Sequence, residues 1–323
     1  MTMTLRATAR LVPVLAAAVL AAGLARAEVE LPPLLAPAEL VTVIEAQAPL
    51  ILDIRAPGAP GEVGTYAAGH IAGAISAPYA LFRGPDVNPG QVPPEAELTR
   101  VLQSLGVTAD RPTVIVHQGR DETDFGAAAR VYWTLHSSGV GNLAILNGGI
   151  VAWSAANQPL DTTPVTPVPS TIEVSFSDRW LATEADVLAV VEGDTEATLI
   201  DARPEAFWQG RQFHDAAARP GTLPQSQFFT HSNWFDRGPA IVDAASARAL
   251  AEQAGYSDEP ALISFCNTGH WAATNWFALS ELAGIENVRL YPESMVGWSN
   301  AGHPMDNVPG PLRRVWMQIV DVF

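Results

Sequence analysis

The chain has 323 residues, with 34 Asp and Glu against 18 basic residues and a formal charge of −16. A protein this acidic, with a pI near 4.7, is a poor partner for nucleic acid or for an anionic membrane surface. All 18 basic residues are arginine, which excludes lysine Schiff-base chemistry, and the single cysteine, Cys266, excludes an internal disulfide.

Residues 1–27 read as an export signal. Arg6 and Arg10 precede an apolar run over residues 11–24, and Ala25-Arg26-Ala27 has the small-residue pattern of a cleavage site. The run is short for a bilayer span. Cleavage after Ala27 is expected, giving a mature chain from Glu28 in an exported compartment, the bacterial periplasm. That length suits two domains.

Short apolar runs at 50–54, 113–116 and 143–146 alternate with helical patterns such as 95–105. The same order returns 148 residues later: Asp53-Ile54-Arg55 is answered by Asp201-Ala202-Arg203, and Gln118 by Cys266. Alternation of this kind predicts an α/β fold of two tandem domains, each a mostly parallel sheet flanked by helices. The first is expected over residues 35–160 and the second over 173–306. A proline-rich linker, 161–172, joins them and a tail, 307–323, follows.

Cys266 stands where the apolar run 261–265 gives way to a polar loop containing Gly269, followed by a helical stretch. In a parallel α/β sheet, sites lie beyond the C-terminal strand edges. Backbone N–H groups and a helix start there favour a thiolate, the nucleophilic form of cysteine. The residue pattern alone equally allows a buried cysteine acting as a small hydrophobe.

These motifs together resemble the tandem-domain rhodanese family, the thiosulfate and 3-mercaptopyruvate sulfurtransferases. In the first half the resemblance rests on Asp53-Ile54-Arg55, Gly69-His70-Ile71-Ala72-Gly73-Ala74 and Leu146-Asn147-Gly148-Gly149 with Trp153. In the second it rests on Asp201-Ala202-Arg203, Arg219-Pro220-Gly221-Thr222, the Cys266 loop and Tyr291-Pro292-Glu293-Ser294 with Trp298. It implies that Cys266 takes a sulfane sulfur from an anionic donor as a persulfide and passes it to a thiol or cyanide. The first half, with Gln118 at the cysteine position, would be inactive. A loop of Asn267, Thr268, Gly269, His270, Trp271 and Ala272 would bind the substrate and cradle the sulfur. His270 is expected to be cationic or to donate a proton to the donor, with a solvent-exposed or helix-capping role as its competing one; Trp271 would form a wall or face a partner, with simple packing as its competing role. Arg203 is expected to hold the donor's anionic end, with an ion pair to Asp201 as its competing role.

The loop matches neither the basic loops of thiosulfate enzymes nor the Cys-Gly-Ser-Gly of mercaptopyruvate enzymes, so the donor stays open. A cysteine phosphatase would need arginine where Ala272 stands, and a disulfide oxidoreductase would need a second cysteine. No cofactor and no metal site are expected, since the histidines show no ligand spacing. The remaining alternative is a periplasmic sulfur carrier that relays persulfide to a protein partner with little turnover.

Overall fold

The computed structural model describes residues 30–310. The predicted export segment with its cleavage point lies outside them, as do residues 311–323 of the tail.

The first half runs β1 (Leu34–Leu35), α1 (Pro37–Gln47), β2 (Leu50–Asp53), β3 (Ile75–Ser76), α2 (Glu95–Leu105), β4 (Thr113–Val116), α3 (Glu122–Ser137), β5 (Leu143–Leu146) and α4 (Gly149–Ala155). Its five strands lie in the order β1-β5-β4-β2-β3, all parallel, with Leu52 between Ile75 and Ile115. Strands β2, β4 and β5 are buried at every position. Burial on both faces explains their unbroken apolar runs.

The second half repeats the plan with α5 (Glu184–Glu192), β6 (Thr198–Asp201), α6 (Glu205–Trp208), β7 (Gln227–Phe228), α7 (Ala244–Gln253), β8 (Leu262–Phe265), α8 (Trp271–Phe277), β9 (Val288–Leu290) and α9 (Ser294–Asn300). Its parallel sheet has the order β7-β6-β8-β9. The counterpart of β1 is reduced to one parallel bridge, Leu181 to Leu290 beside β9. The fold is thus two α/β domains in tandem, each a parallel sheet covered by helices.

The two halves share one core. Helix α3 of the first packs along α8 of the second, where Phe125 and Tyr132 meet Phe277 edge to face at 5.6 and 5.1 Å between ring centroids. Full burial of a phenylalanine is worth about 1.5–3 kcal/mol, and each such ring pair adds about 0.5–1.5 kcal/mol. Residues 162–177 form no helix or strand. They lie along α2, with the Phe176 N–H on Glu95 and the Ser170 N–H on the Gln103 carbonyl. Buried His70 stacks on Tyr66, and its Nε2 reaches the Thr163 carbonyl at 3.1 Å, tying this strap to the first sheet.

Candidate active site

Strand β8 is apolar and wholly buried, and it delivers Cys266 to the C-terminal edge of the second sheet with only 1 % of its surface exposed. The loop that follows is pinned from behind by the start of α9. The Cys266 N–H donates to Ser294 Oγ at 3.0 Å, and the Met295 and Val296 N–H groups donate to the carbonyls of Cys266 and Asn267. Ser294 holds a φ of 51°, an uncommon conformation for a residue with a Cβ, and its hydroxyl donates to the Tyr291 carbonyl. With these carbonyls turned away from the loop interior, the N–H groups of residues 267–272 donate to no acceptor among the described residues. Successive backbone N–H groups left without an acceptor can hold an anion.

Gly269 makes the turn possible. Its φ is +66°, and a Cβ there would lie 2.6 Å from both Arg130 Nη1 and the Pro292 carbonyl oxygen. Asn267 and Thr268 are nearly buried, and Ala272 fully so, inside the first turn of α8. All six loop residues follow Cys266 directly, in the turn and the first turn of α8. They divide by what their side chains touch.

His270 does not act as the expected cation. Its Nε2 donates to the Thr123 carbonyl at 2.7 Å, and its Nδ1 accepts from the Tyr79 hydroxyl at 3.0 Å. Both partners belong to the first half. Enclosure between the halves, reinforced by Arg83, holds its pKa down to about 3, so the ring is neutral at pH 7. Gly126 on α3 gives it room, since a Cβ there would sit 2.9 Å from the imidazole. Trp271 likewise packs: it stacks on His231 at 4.9 Å and donates its indole N–H to Thr123 Oγ1.

Arg203 requires a correction as well. It is 1 % exposed, and its Nε and Nη2 grip Asp201 at 2.9 and 2.6 Å. Nη2 also donates to the Gly221 carbonyl and Nη1 to Asn267 Oδ1. Arg55 repeats this arrangement in the first half with Asp53, the Gly69 carbonyl and Gln118 Oε1. A guanidinium so occupied has no fork left for a donor. Its place is to brace the turn and, through Asn267, the loop.

The cations that do reach the loop come from the first half. Arg83, after the 3₁₀ turn Tyr79–Phe82, donates from Nη1 to the Thr268 carbonyl at 2.9 Å. Arg130, fully buried on α3, directs Nη1 at the carbonyls of Thr268 and Gly269 and donates from Nη2 to the Gly90 carbonyl at 2.8 Å. Asn88 adds a bond to Glu293. Arg130 carried one legible signal: it stands in an apolar helix with Gly126, Ala127, Trp133 and Thr134 three and four positions away, so no acid on its own helix can pair with it.

Among the described residues no three His, Cys, Asp or Glu side chains are placed to hold a metal, and no helix is long and apolar enough to cross a membrane.

A two-domain α/β chain with one cysteine in a loop of free N–H groups defines a class, and comparison with known proteins gives the family. The rhodanese-like domain matches twice, at residues 36–156 and 184–301, and the chain belongs to that family. The thiosulfate sulfurtransferase of Azotobacter vinelandii is 26% identical over 275 residues, covering 85% of this chain and 96% of the relative. That of Pseudomonas aeruginosa is 27% identical over 276 residues, with 85% and 96% covered. The sulfur carrier protein TtuD of Thermus thermophilus is 26% identical over 217 residues, covering 64% and 74%. Among solved structures, the anaerobic ergothioneine biosynthesis enzyme from Chlorobium limicola superposes with a TM-score of 0.75 at 17% identity, covering 86% of this chain and 71% of that one. At that identity the likeness is one of fold.

Proposed function

We propose that the protein is a sulfurtransferase in which the second domain is catalytic and the first, with Gln118 at the equivalent position, is not. The observation that carries this reading is Cys266 at the end of β8, ringed by the unengaged N–H groups of residues 267–272. The Cys266 thiolate attacks the outer sulfur of thiosulfate, or the thiol sulfur of 3-mercaptopyruvate, whose C–S bond breaks with its electron pair leaving on the pyruvate enolate, which then takes up a proton. For thiosulfate, a Cys266 S–S bond forms, the donor's S–S bond breaks, and its electron pair leaves with sulfite. Cyanide or a thiolate then attacks the terminal sulfur and releases the Cys266 thiolate. The cradle stabilises the negative sulfur in both states.

The same site supports a second reading, a sulfur carrier that hands persulfide to a protein. The name of the Thermus relative favours it. Steady-state turnover with cyanide and small thiols separates the two: a carrier loads stoichiometrically but turns over slowly. The charged start, apolar run and small-residue site of residues 1–27 support export for either activity, and an N-terminus at Glu28 in protein from the native host tests that.

A further inference from the structure

Three arginines are buried among the described residues: Arg55, Arg130 and Arg203. Arg55 and Arg203 each hold an aspartate at 2.6 Å. Arg130 holds none. It is 0 % exposed, its Nε has no hydrogen-bond partner, and its contacts with the Thr268 and Gly269 carbonyls are long, at 3.4 and 3.5 Å. Its guanidinium lies over Trp133 at 5.3 Å, which helps to hold a cation but does not neutralise it. Arg83 stands beside it, also without a carboxylate partner among the described residues, and lies over the Tyr79 ring at 5.1 Å.

Two guanidiniums brought together in a largely dry place repel one another. Burial, reinforced by Arg83, draws the Arg130 pKa down to about 9, whereas Tyr79 and the nearby Cys266 sulfur act in the opposite direction. A buried charge without a counter-ion is strongly destabilising, and in a chain of net charge −16 acids are plentiful. Among the described residues none pairs with Arg83 or Arg130. The arrangement is that of a site whose negative charge arrives from outside.

We propose that Arg83 and Arg130, both from the non-catalytic half, form an anion site over the Cys266 loop that binds the oxyanion end of the sulfur donor and the oxyanion product. This deepens the sulfurtransferase reading and rests on it for the identity of the anion. The binding itself does not need turnover. It makes the first domain the specificity-determining half: the second supplies the nucleophile and the N–H cradle, and the first supplies the charge.

The test is calorimetric titration of the Cys266→Ala chain with sodium sulfite, alongside thiosulfate loading of the chain with Cys266 intact. Saturable sulfite binding is expected, weakened roughly 10- to 100-fold by Arg83→Met, the loss of a charge-assisted hydrogen bond. Arg130→Met should weaken it at least as much. Because that change lies in the core, the half-buried Arg83 keeps the test decisive if Arg130→Met fails to fold. Thiosulfate loading should slow by a similar factor in Arg83→Met, with cyanide discharge of preformed persulfide changed far less. Arginine-dependent sulfite binding in a chain that never forms persulfide would uphold the anion site while removing the sulfurtransferase reading. Normal persulfide formation, with sulfite affinity and loading rate unchanged in Arg83→Met, would overturn the anion site and leave that reading intact.

Discussion

The Tyr79 hydroxyl donates to His270 Nδ1 at 3.0 Å across 191 residues of sequence, joining the first domain to the loop that carries Cys266. The Thr123 carbonyl takes the other ring nitrogen, so the imidazole is clasped from both sides as a neutral bridge. The geometry of the Cys266 loop is therefore a property of both halves.

Removing that hydroxyl should loosen the bridge without opening a large cavity. Tyr79→Phe is expected to cost about 0.5–1.5 kcal/mol, the worth of one hydrogen bond. Urea unfolding of the two proteins under identical conditions measures it.

The histidines set an acid limit on stability. Burial holds buried His117 down to about 4, against Asp124, the Leu146 carbonyl and Asp121, which oppose the shift. His270 lies at about 3, and burial also lowers His231. In each case the folded value lies below the ordinary value, so between them the unfolded chain binds more protons than the folded one. Stability then rises with pH and is lost as pH falls from about 6.5 toward 4. For His117 alone the full effect is about 3 kcal/mol. Unfolding midpoints at pH 7 and pH 5 should differ in that direction, and His117→Leu should narrow the gap.

Gly269 tolerates no side chain. Gly269→Ala would force a positive φ on alanine and drive its Cβ into Arg130 and the Pro292 carbonyl. Strain of this kind costs about 1–3 kcal/mol. A lower unfolding temperature together with lost persulfide loading is the expected pair of results.

Arg203→Met should behave as a structural lesion. It leaves Asp201 buried and unpaired, which costs about 3–5 kcal/mol, and Arg55→Met should cost a similar amount through Asp53. Comparable losses of stability in the two variants, by thermal unfolding, would fit their matched geometry. A donor-specific kinetic loss in Arg203→Met at unchanged stability would restore it as a donor ligand.

Much of this was legible in the chain. The apolar runs become buried strands because both faces of each sheet are covered, and the 148-residue offset between Asp53 and Asp201 reappears as two matching sheets. Cys266 at a strand end and Gly269 in the turn follow from local pattern. Arg203 was ambiguous because an arginine after a strand can face either a ligand or its own aspartate, and spacing does not decide which. Its twin, Arg55, pointed to the second. Arg83 and Arg130 were missed because they act over 185 and 138 residues of sequence separation, on backbone carbonyls that carry no residue signature. His270 was misjudged for the same reason: its decisive partner is the Thr123 carbonyl, which any residue type supplies.

The central claim is that sulfur is carried on Cys266, and intact-mass measurement of the purified chain tests it most directly. After exposure to thiosulfate or 3-mercaptopyruvate, the protein should gain the mass of one sulfur atom, lose it again on adding cyanide, and show no gain in Cys266→Ser. Sulfur transfer at full rate by Cys266→Ser, or no adduct from either donor in the unsubstituted chain, would contradict it.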